Sequence, residues 1–100
     1  MKTELLNDIL GIVTEVCEVK RDDLLSHGKK EDILQARCIF VYYCKEYGIP
    51  NYILAEFLNR KRGCVIDSYM QSYKYFYKQS YMFRLCCAKV SDKLACKYPS

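Results

Sequence analysis

The sequence predicts an all-α fold, a compact bundle of five to six helices that contains a helix-turn-helix. Apolar residues recur at steps of three and four through most of the chain, which is the pattern of amphipathic helices. Only four glycines and two prolines interrupt 100 residues, of which 51% are hydrophobic. A short helical pattern, a tight cationic turn and a longer helical pattern follow one another from residue 51. We expect one domain over residues 1–100.

The first two predicted helices occupy the amino-terminal quarter of the chain. The first helix is expected from about Thr3, as N-cap, to Glu18. Its apolar positions are Leu5, Leu6, Ile9, Leu10, Ile12, Val13 and Val16. Asp22 is expected to cap a short helical turn that places Leu24 and Leu25 in the core.

A third, central helix is predicted after the polar loop Ser26–Lys30. It should run from about Glu31 to Tyr47, with apolar residues around most of its girth. Gly48 is suited to end it, because glycine readily adopts the left-handed conformation of a helix C-terminus. The following Ile49–Pro50 prevents simple continuation.

The carboxyl-terminal half contains the predicted helix-turn-helix, at about residues 51–74. Asn51 is expected to cap a short helix, Tyr52–Leu58, and Asn59 to break it. Arg60–Gly63 then lead into a helix with apolar positions at Val65, Ile66, Tyr69, Met70 and Tyr73. A final helix is predicted at about residues 76–97, with a bend or short break near residues 73–77.

Cysteine usage favours small core residues over a metal or disulfide framework. The seven cysteines include no C-x-x-C pair, and His27 is the single histidine. The chain also lacks a nucleophile motif and paired carboxylates in an apolar setting. We therefore predict no metal, no cofactor, no catalytic residues and no enzymatic activity.

Charge is distributed unevenly along the chain. Residues 1–58 carry seven Lys/Arg and ten Asp/Glu, a net −3, whereas residues 59–100 carry nine and two, a net +7. A basic half suggests a polyanionic partner, although a solvated basic face would look the same.

Three consecutive cations, Arg60, Lys61 and Arg62, stand at the start of the second helix of the predicted motif. A helix N-terminus disfavours cations unless an anion is expected there. In a helix-turn-helix this end meets DNA, so the three cations should face phosphates and bases. Arg62 is the candidate guanine reader, and Gly63 would allow close backbone approach. An ordinary helical corner with a basic rim is the alternative.

Several short motifs are distributed over about residues 5–94. They are Asp23-Leu24-Leu25, the basic loop His27–Lys30, Ala36-Arg37, Lys45-Glu46-Tyr47, Ile49-Pro50 with Ile53 and Phe57, and Arg84-Leu85. Together they resemble the carboxyl-terminal DNA-binding domain of the bacterial replication initiator DnaA. The family signature GRDHTTV falls on Asn59–Val65. The resemblance implies a Trp-repressor-like helix-turn-helix that binds double-stranded DNA.

The signature is diverged at the positions that read bases in the family. Lys61 and Arg62 replace aspartate and histidine, and Gly63 and Cys64 replace two threonines. The resemblance therefore implies the scaffold, and recognition of the usual initiator box is not expected. The family's minor-groove arginine is missing near Gln35.

The resemblance also indicates which residues would contact the DNA backbone. Lys29 and Lys30 are candidates to replace the missing minor-groove arginine. Arg37 matches a family position near the DNA backbone, and a surface arginine is its alternative. No glycine-rich phosphate loop occurs in these residues, so nucleotide binding is not expected.

Tyrosines are abundant, ten in all, and Tyr69, Tyr73, Tyr77 and Tyr81 recur every four residues. They are expected chiefly to seal a core edge. With Lys74 and Lys78 they could instead contact phosphates or an unpaired strand. The tyrosine-rich half is also a candidate surface for a protein partner.

Two functions thus remain open. The first is a stand-alone accessory or regulator of replication or transcription that binds duplex DNA through Arg60, Lys61, Arg62, Gly63, Lys29, Lys30, Arg37 and Lys74. The second is a protein–protein interaction module that has lost DNA binding. The sequence has no signal-peptide or membrane-spanning pattern, which predicts a cytoplasmic protein without a membrane partner.

Overall fold

The computed structural model describes residues 2–28, 30–61 and 63–98, and these residues form six helices and no strand. The helices are α1 (Lys2–Cys17), α2 (Arg21–Leu25), α3 (Glu31–Glu46), α4 (Asn51–Phe57), α5 (Cys64–Gln79) and α6 (Tyr81–Lys97). The predicted all-α bundle with a helix-turn-helix is confirmed.

Helix α3 is the centre of the bundle, as its broad apolar girth predicts. Its residues Ala36, Cys38, Phe40 and Val41 are completely buried. The other five helices all pack against it, α1 and α5 most extensively. The core positions of α5 are therefore held by this central helix.

Three helix ends are closed by a residue in the left-handed conformation. Gly48, after α3, has φ +81°, and the non-glycine residues Glu18 and Asn59 have φ of 57° and 58°. After α3 the N–H of Ile49 donates to the carbonyl of Cys44 at 3.0 Å, a Schellman bond. The predicted role of Gly48 is confirmed.

Three predicted N-caps are wrong. Thr3 lies inside α1, and Asp22 lies inside α2, where Lys20 takes the cap position. Asn51 is the first residue of α4, preceded by Pro50. The amide of Asn51 instead donates to the Asp67 carboxylate on α5 at 3.2 Å, so a contact between helices replaces the local cap.

The carboxyl-terminal helices are separated at Ser80, later than the break predicted near residues 73–77. Ser80 has an extended backbone, with φ −125° and ψ 117°, and its hydroxyl accepts the N–H of Phe83 at 3.1 Å. Because this is an ordinary serine N-cap, α6 begins at Tyr81 rather than near residue 76.

The four tyrosines that recur every four residues are divided between core and surface. Tyr69 and Tyr73 pack against the core, whereas Tyr77 and Tyr81 are 45% and 65% exposed. The predicted role of sealing a core edge therefore applies to Tyr69 and Tyr73. The other two lie where α5 ends and α6 begins.

Buried cysteines contribute small apolar side chains to the core. Cys38, Cys44 and Cys87 are buried. Burial raises the pKa of Cys38 to about 12 and that of Cys87 to about 11. Among the described helices, none is both long and apolar enough to cross a membrane.

Candidate nucleic-acid interface

The helix-turn-helix consists of α4, the connection 58–63 and α5. Asn59 lets the chain reverse after α4, because its left-handed φ brings the N–H of Arg60 back to the carbonyl of Ala55 at 2.7 Å. The N–H of Asn59 bonds the carbonyl of Glu56 at 3.1 Å in the same Schellman arrangement. This turn fixes the direction in which the next side chains leave the backbone.

Arg60 points inward from this turn. Its Nε donates to the Tyr69 hydroxyl at 3.1 Å, and its Nη2 donates to the carbonyl of Ser26 at 2.8 Å. Its Nη1 donates to the carbonyl of Leu58. The guanidinium therefore joins the turn, α5 and the loop after α2. The contact of Arg60 with phosphates and bases stays a prediction.

Arg37 is also structural. It is only 3% exposed, and its guanidinium donates to four carbonyls in and after α2. These bonds join Nε to Leu24 at 2.8 Å, Nη1 to Gly28 at 3.2 Å, and Nη2 to Ser26 at 2.9 Å and Asp23 at 3.3 Å. The surface-arginine alternative is wrong, because the side chain is buried. Burial and these four bonds also argue against the predicted phosphate contact.

The two arginines meet at one atom. The carbonyl oxygen of Ser26 accepts from both Arg37 and Arg60, which uses both of its lone pairs. The guanidinium carbon of Arg37 also lies 6.0 Å from the ring centroid of Tyr69. The loop after α2 is therefore attached to both α3 and the helix-turn-helix.

The remaining predicted contacts are divided between surface and undescribed positions. Lys30, Lys61 and Lys74 are exposed. Arg62 and Lys29 lie outside the described residues, so the predicted guanine contact of Arg62 and the backbone contact of Lys29 stay predictions. Lys30 borders the loop held by the arginines, and Lys61 borders the amino end of α5.

Gly63 is not required by the fold. Its φ of −64° and ψ of −23° are ordinary for any residue. A Cβ added there would lie 3.6 Å from the Cβ of Asn51, a normal van der Waals distance. The structure thus gives no internal reason for glycine, and close approach of an external partner remains its predicted role.

The outer face of α5 supplies candidate contacts that the sequence analysis missed. Its exposed residues in the first two turns are Cys64, Asp67, Ser68 and Gln71. The signal was present in the sequence, because these positions lie between the apolar positions that define the inner face. Hydroxyl, amide and carboxylate groups can all bond base edges.

Ion pairs of the described residues occur between α1 and α6 and not in the helix-turn-helix. Among the described residues, ion pairs join Lys93 to Glu15 at 2.9 Å and Lys97 to Asp8 at 3.5 Å. Both link α6 to α1. Within the same described part of the chain, neither Lys30 nor Lys61 has a carboxylate partner within ion-pair distance, so both remain available to an anionic ligand.

Comparison with known proteins agrees with this geometry. The family described as bacterial dnaA protein helix-turn-helix matches residues 6–71, which include α2 to α4 and the first half of α5. A search of curated proteins finds no match. The matched region holds both inward arginines and the exposed amino end of α5. The chain belongs to the family of the bacterial DnaA helix-turn-helix.

Proposed function

We propose that this domain binds double-stranded DNA by placing the first two turns of α5 in the major groove. The main support is the solvent-facing surface of those turns. Cys64, Asp67, Ser68 and Gln71 are exposed there, and the exposed Lys61 lies just before α5. This is the end of the recognition helix that meets base edges in helix-turn-helix proteins. Family membership supports the same mode of binding.

Phosphate contacts would come from exposed lysines at two points along α5 and from the loop after α2. Lys61 flanks its amino end, and Lys74 lies exposed farther along it. Lys30, with Lys29, would contact the backbone from the loop that Arg37 and Arg60 hold. Such contacts position the protein and make its affinity salt-dependent.

Base reading would differ from that of relatives with the usual signature. Arg62 is the proposed guanine reader, and Gly63 would allow its backbone to lie against the DNA. One carboxylate oxygen of Asp67 accepts the hydrogen bond from Asn51. The other could accept a hydrogen bond from the amino group of a cytosine. The domain would act as an accessory or regulator of replication or transcription in the cytoplasm, without catalysis.

A salt titration on random duplex DNA tests this proposal. The logarithm of the binding constant should fall linearly with the logarithm of salt concentration, because phosphate contacts release counterions. Selection from randomised duplexes should then yield a preferred site. In Arg62→Ala, preference should relax at one base pair by about 1–3 kcal/mol. Duplex binding that is absent or insensitive to salt would refute the proposal.

A protein-binding role on the same scaffold is the second candidate. Tyr81 and Met82, at the start of α6, are 65% and 66% exposed, and Leu85 is exposed one turn later. Exposed aromatic and methionine side chains are enriched at protein interfaces. Absent or salt-insensitive duplex binding by a folded chain would favour this candidate.

A further inference from the structure

A groove of about 680 Å³ opens between α3, α5 and α6. Tyrosines and cations make up most of its lining, whereas the exposed residues in the first two turns of α5 include neither. Its tyrosines are Tyr42, Tyr43, Tyr73 and Tyr77, and its cations are Lys74, Lys78 and Arg84. Aromatic rings beside cations are the combination that binds unpaired nucleotides.

The aromatic wall is an ordered stack of rings. Tyr42 and Tyr73 are parallel, with centroids 3.9 Å apart and an interplanar angle of 2°. Tyr77 continues the stack at 5.8 Å from Tyr73 and 28° to it. Because Tyr77 is 45% exposed, it forms the solvent end of the stack, where another planar ring can be added.

The cationic side of the groove is partly fixed in place. The Nη1 of Arg84 donates to the carbonyl of Tyr77 at 2.6 Å and lies 3.4 Å from that of Lys78. These bonds hold the guanidinium across the carboxyl end of α5. Its Nε and Nη2 make no bond to the described residues and can face a ligand.

Negative charge is low within the groove. In the described part of the chain, none of its three cations has a carboxylate within ion-pair distance. The tyrosine hydroxyls of the groove add no negative charge, because a phenol is neutral at physiological pH; burial further raises the pKa of Tyr43 to about 12 and also raises that of Tyr73. Glu46 lines the neighbouring depression instead. After burial, its hydrogen bond to the Tyr42 hydroxyl contributes to the raised pKa of Tyr42.

We propose that this groove binds single-stranded DNA, with one base stacked on Tyr77 and phosphates on Lys74, Lys78 and Arg84. A duplex could not use this wall, because its bases are already stacked on both faces. DNA is the assigned source because α5 carries two of the three cations and is also the proposed recognition helix. The choice of DNA rests on the proposed duplex binding, whereas the stacking and phosphate contacts rest on the groove itself.

Anisotropy of a labelled oligothymidylate, titrated with the full chain, tests the stacking contact. Tyr77→Leu should weaken binding about tenfold, which corresponds to about 1.4 kcal/mol and lies in the range for one stacked base. Tyr77→Phe should bind as the native chain does. Tyr75→Leu is the matched control, because Tyr75 is exposed on the same helix outside the groove.

Salt dependence tests the phosphate contacts. Lys78→Gln should reduce the slope of log affinity against log salt by about 0.7, the value for one contact on a single strand. Lys89→Gln, an exposed lysine of α6 outside the groove, should leave the slope unchanged. Thermal melting of each variant checks that the fold is retained.

Three outcomes would overturn the inference. They are native affinity in Tyr77→Leu, equal loss in Tyr75→Leu, and tighter binding of oligouridylate than of oligothymidylate. Tyr77→Leu should keep native affinity for duplex DNA. Failure of the native chain to bind duplex would therefore refute the helix-turn-helix proposal separately, whatever the single-strand result.

Discussion

Arg60 and Lys61 are neighbours in sequence with opposite surroundings. Arg60 donates to two carbonyls and a tyrosine hydroxyl inside the fold, whereas Lys61 is exposed. The left-handed Asn59 produces this difference by setting the course of the turn. A run of cations can therefore contain both a structural residue and a residue that contacts a ligand. Replacing Arg60 should mainly lower stability, and replacing Lys61 should mainly weaken DNA binding.

The largest expected effect is on stability, in Arg37→Met. Methionine keeps much of the apolar volume but removes every hydrogen bond to the loop after α2. The free energy of unfolding should fall by about 3 kcal/mol, because several carbonyls lose a charged donor in a buried place. Urea denaturation measures the loss. Arg37→Lys should recover only part of it, because lysine lacks the guanidinium fork. Native stability in Arg37→Met would contradict the assignment.

Arg60→Met should destabilise less, by about 2 kcal/mol, because the side chain is only partly buried. The same denaturation experiment applies. Duplex affinity measured well below the unfolding transition should fall only modestly, since Arg60 has no direct DNA contact in this account. A variant of native stability that lost most of its DNA affinity would instead support the predicted DNA contact of Arg60.

Gly63→Ala should change stability by less than about 0.5 kcal/mol. Glycine entropy in the unfolded chain favours alanine, and the N-cap preference at this position opposes it. If the backbone approaches DNA closely, the added methyl should still weaken duplex binding. Anisotropy with the selected duplex measures this change in affinity. Unaltered duplex affinity would show that Gly63 lies away from the DNA.

The smallest effect concerns pH and the contact between α1 and the end of α6. The Tyr98 hydroxyl donates to Asp8, and this bond, followed by Lys97, lowers the pKa of Asp8 from 3.8. A lowered folded pKa gives stability that is present above pH 3.8 and is lost as pH falls through the folded value. Tyr98→Phe should therefore flatten the acid limb of a stability–pH profile slightly. An unchanged limb would argue against this contact.

Much of the fold was predictable because it depends on local signals. Apolar spacing located the helices, and Gly48 marked the end of the central one. Asn59 was correctly identified as a break. The sequence pattern places the division between α5 and α6 too early, because alternating aromatic residues obscure the serine N-cap at Ser80.

The inward arginines could not be predicted from local patterns. Arg37 and Arg60 both depend on the carbonyl of Ser26, which is 11 residues from one and 34 from the other. Asn51 was likewise assigned a local cap, although its amide bonds Asp67, 16 residues away. Such contacts form only when the helices pack. The sequence does not show which backbone carbonyl a side chain will bond.

The most direct test of the account compares the salt slope of duplex binding in the native chain and in Lys61→Ala. The slope should shrink by about one unit in the variant, as for loss of one phosphate contact, while stability changes by less than about 0.5 kcal/mol. Lys89→Ala, which alters an exposed lysine away from the motif, should keep the native slope. An identical slope in Lys61→Ala and the native chain would contradict the claim that the amino end of α5 meets DNA.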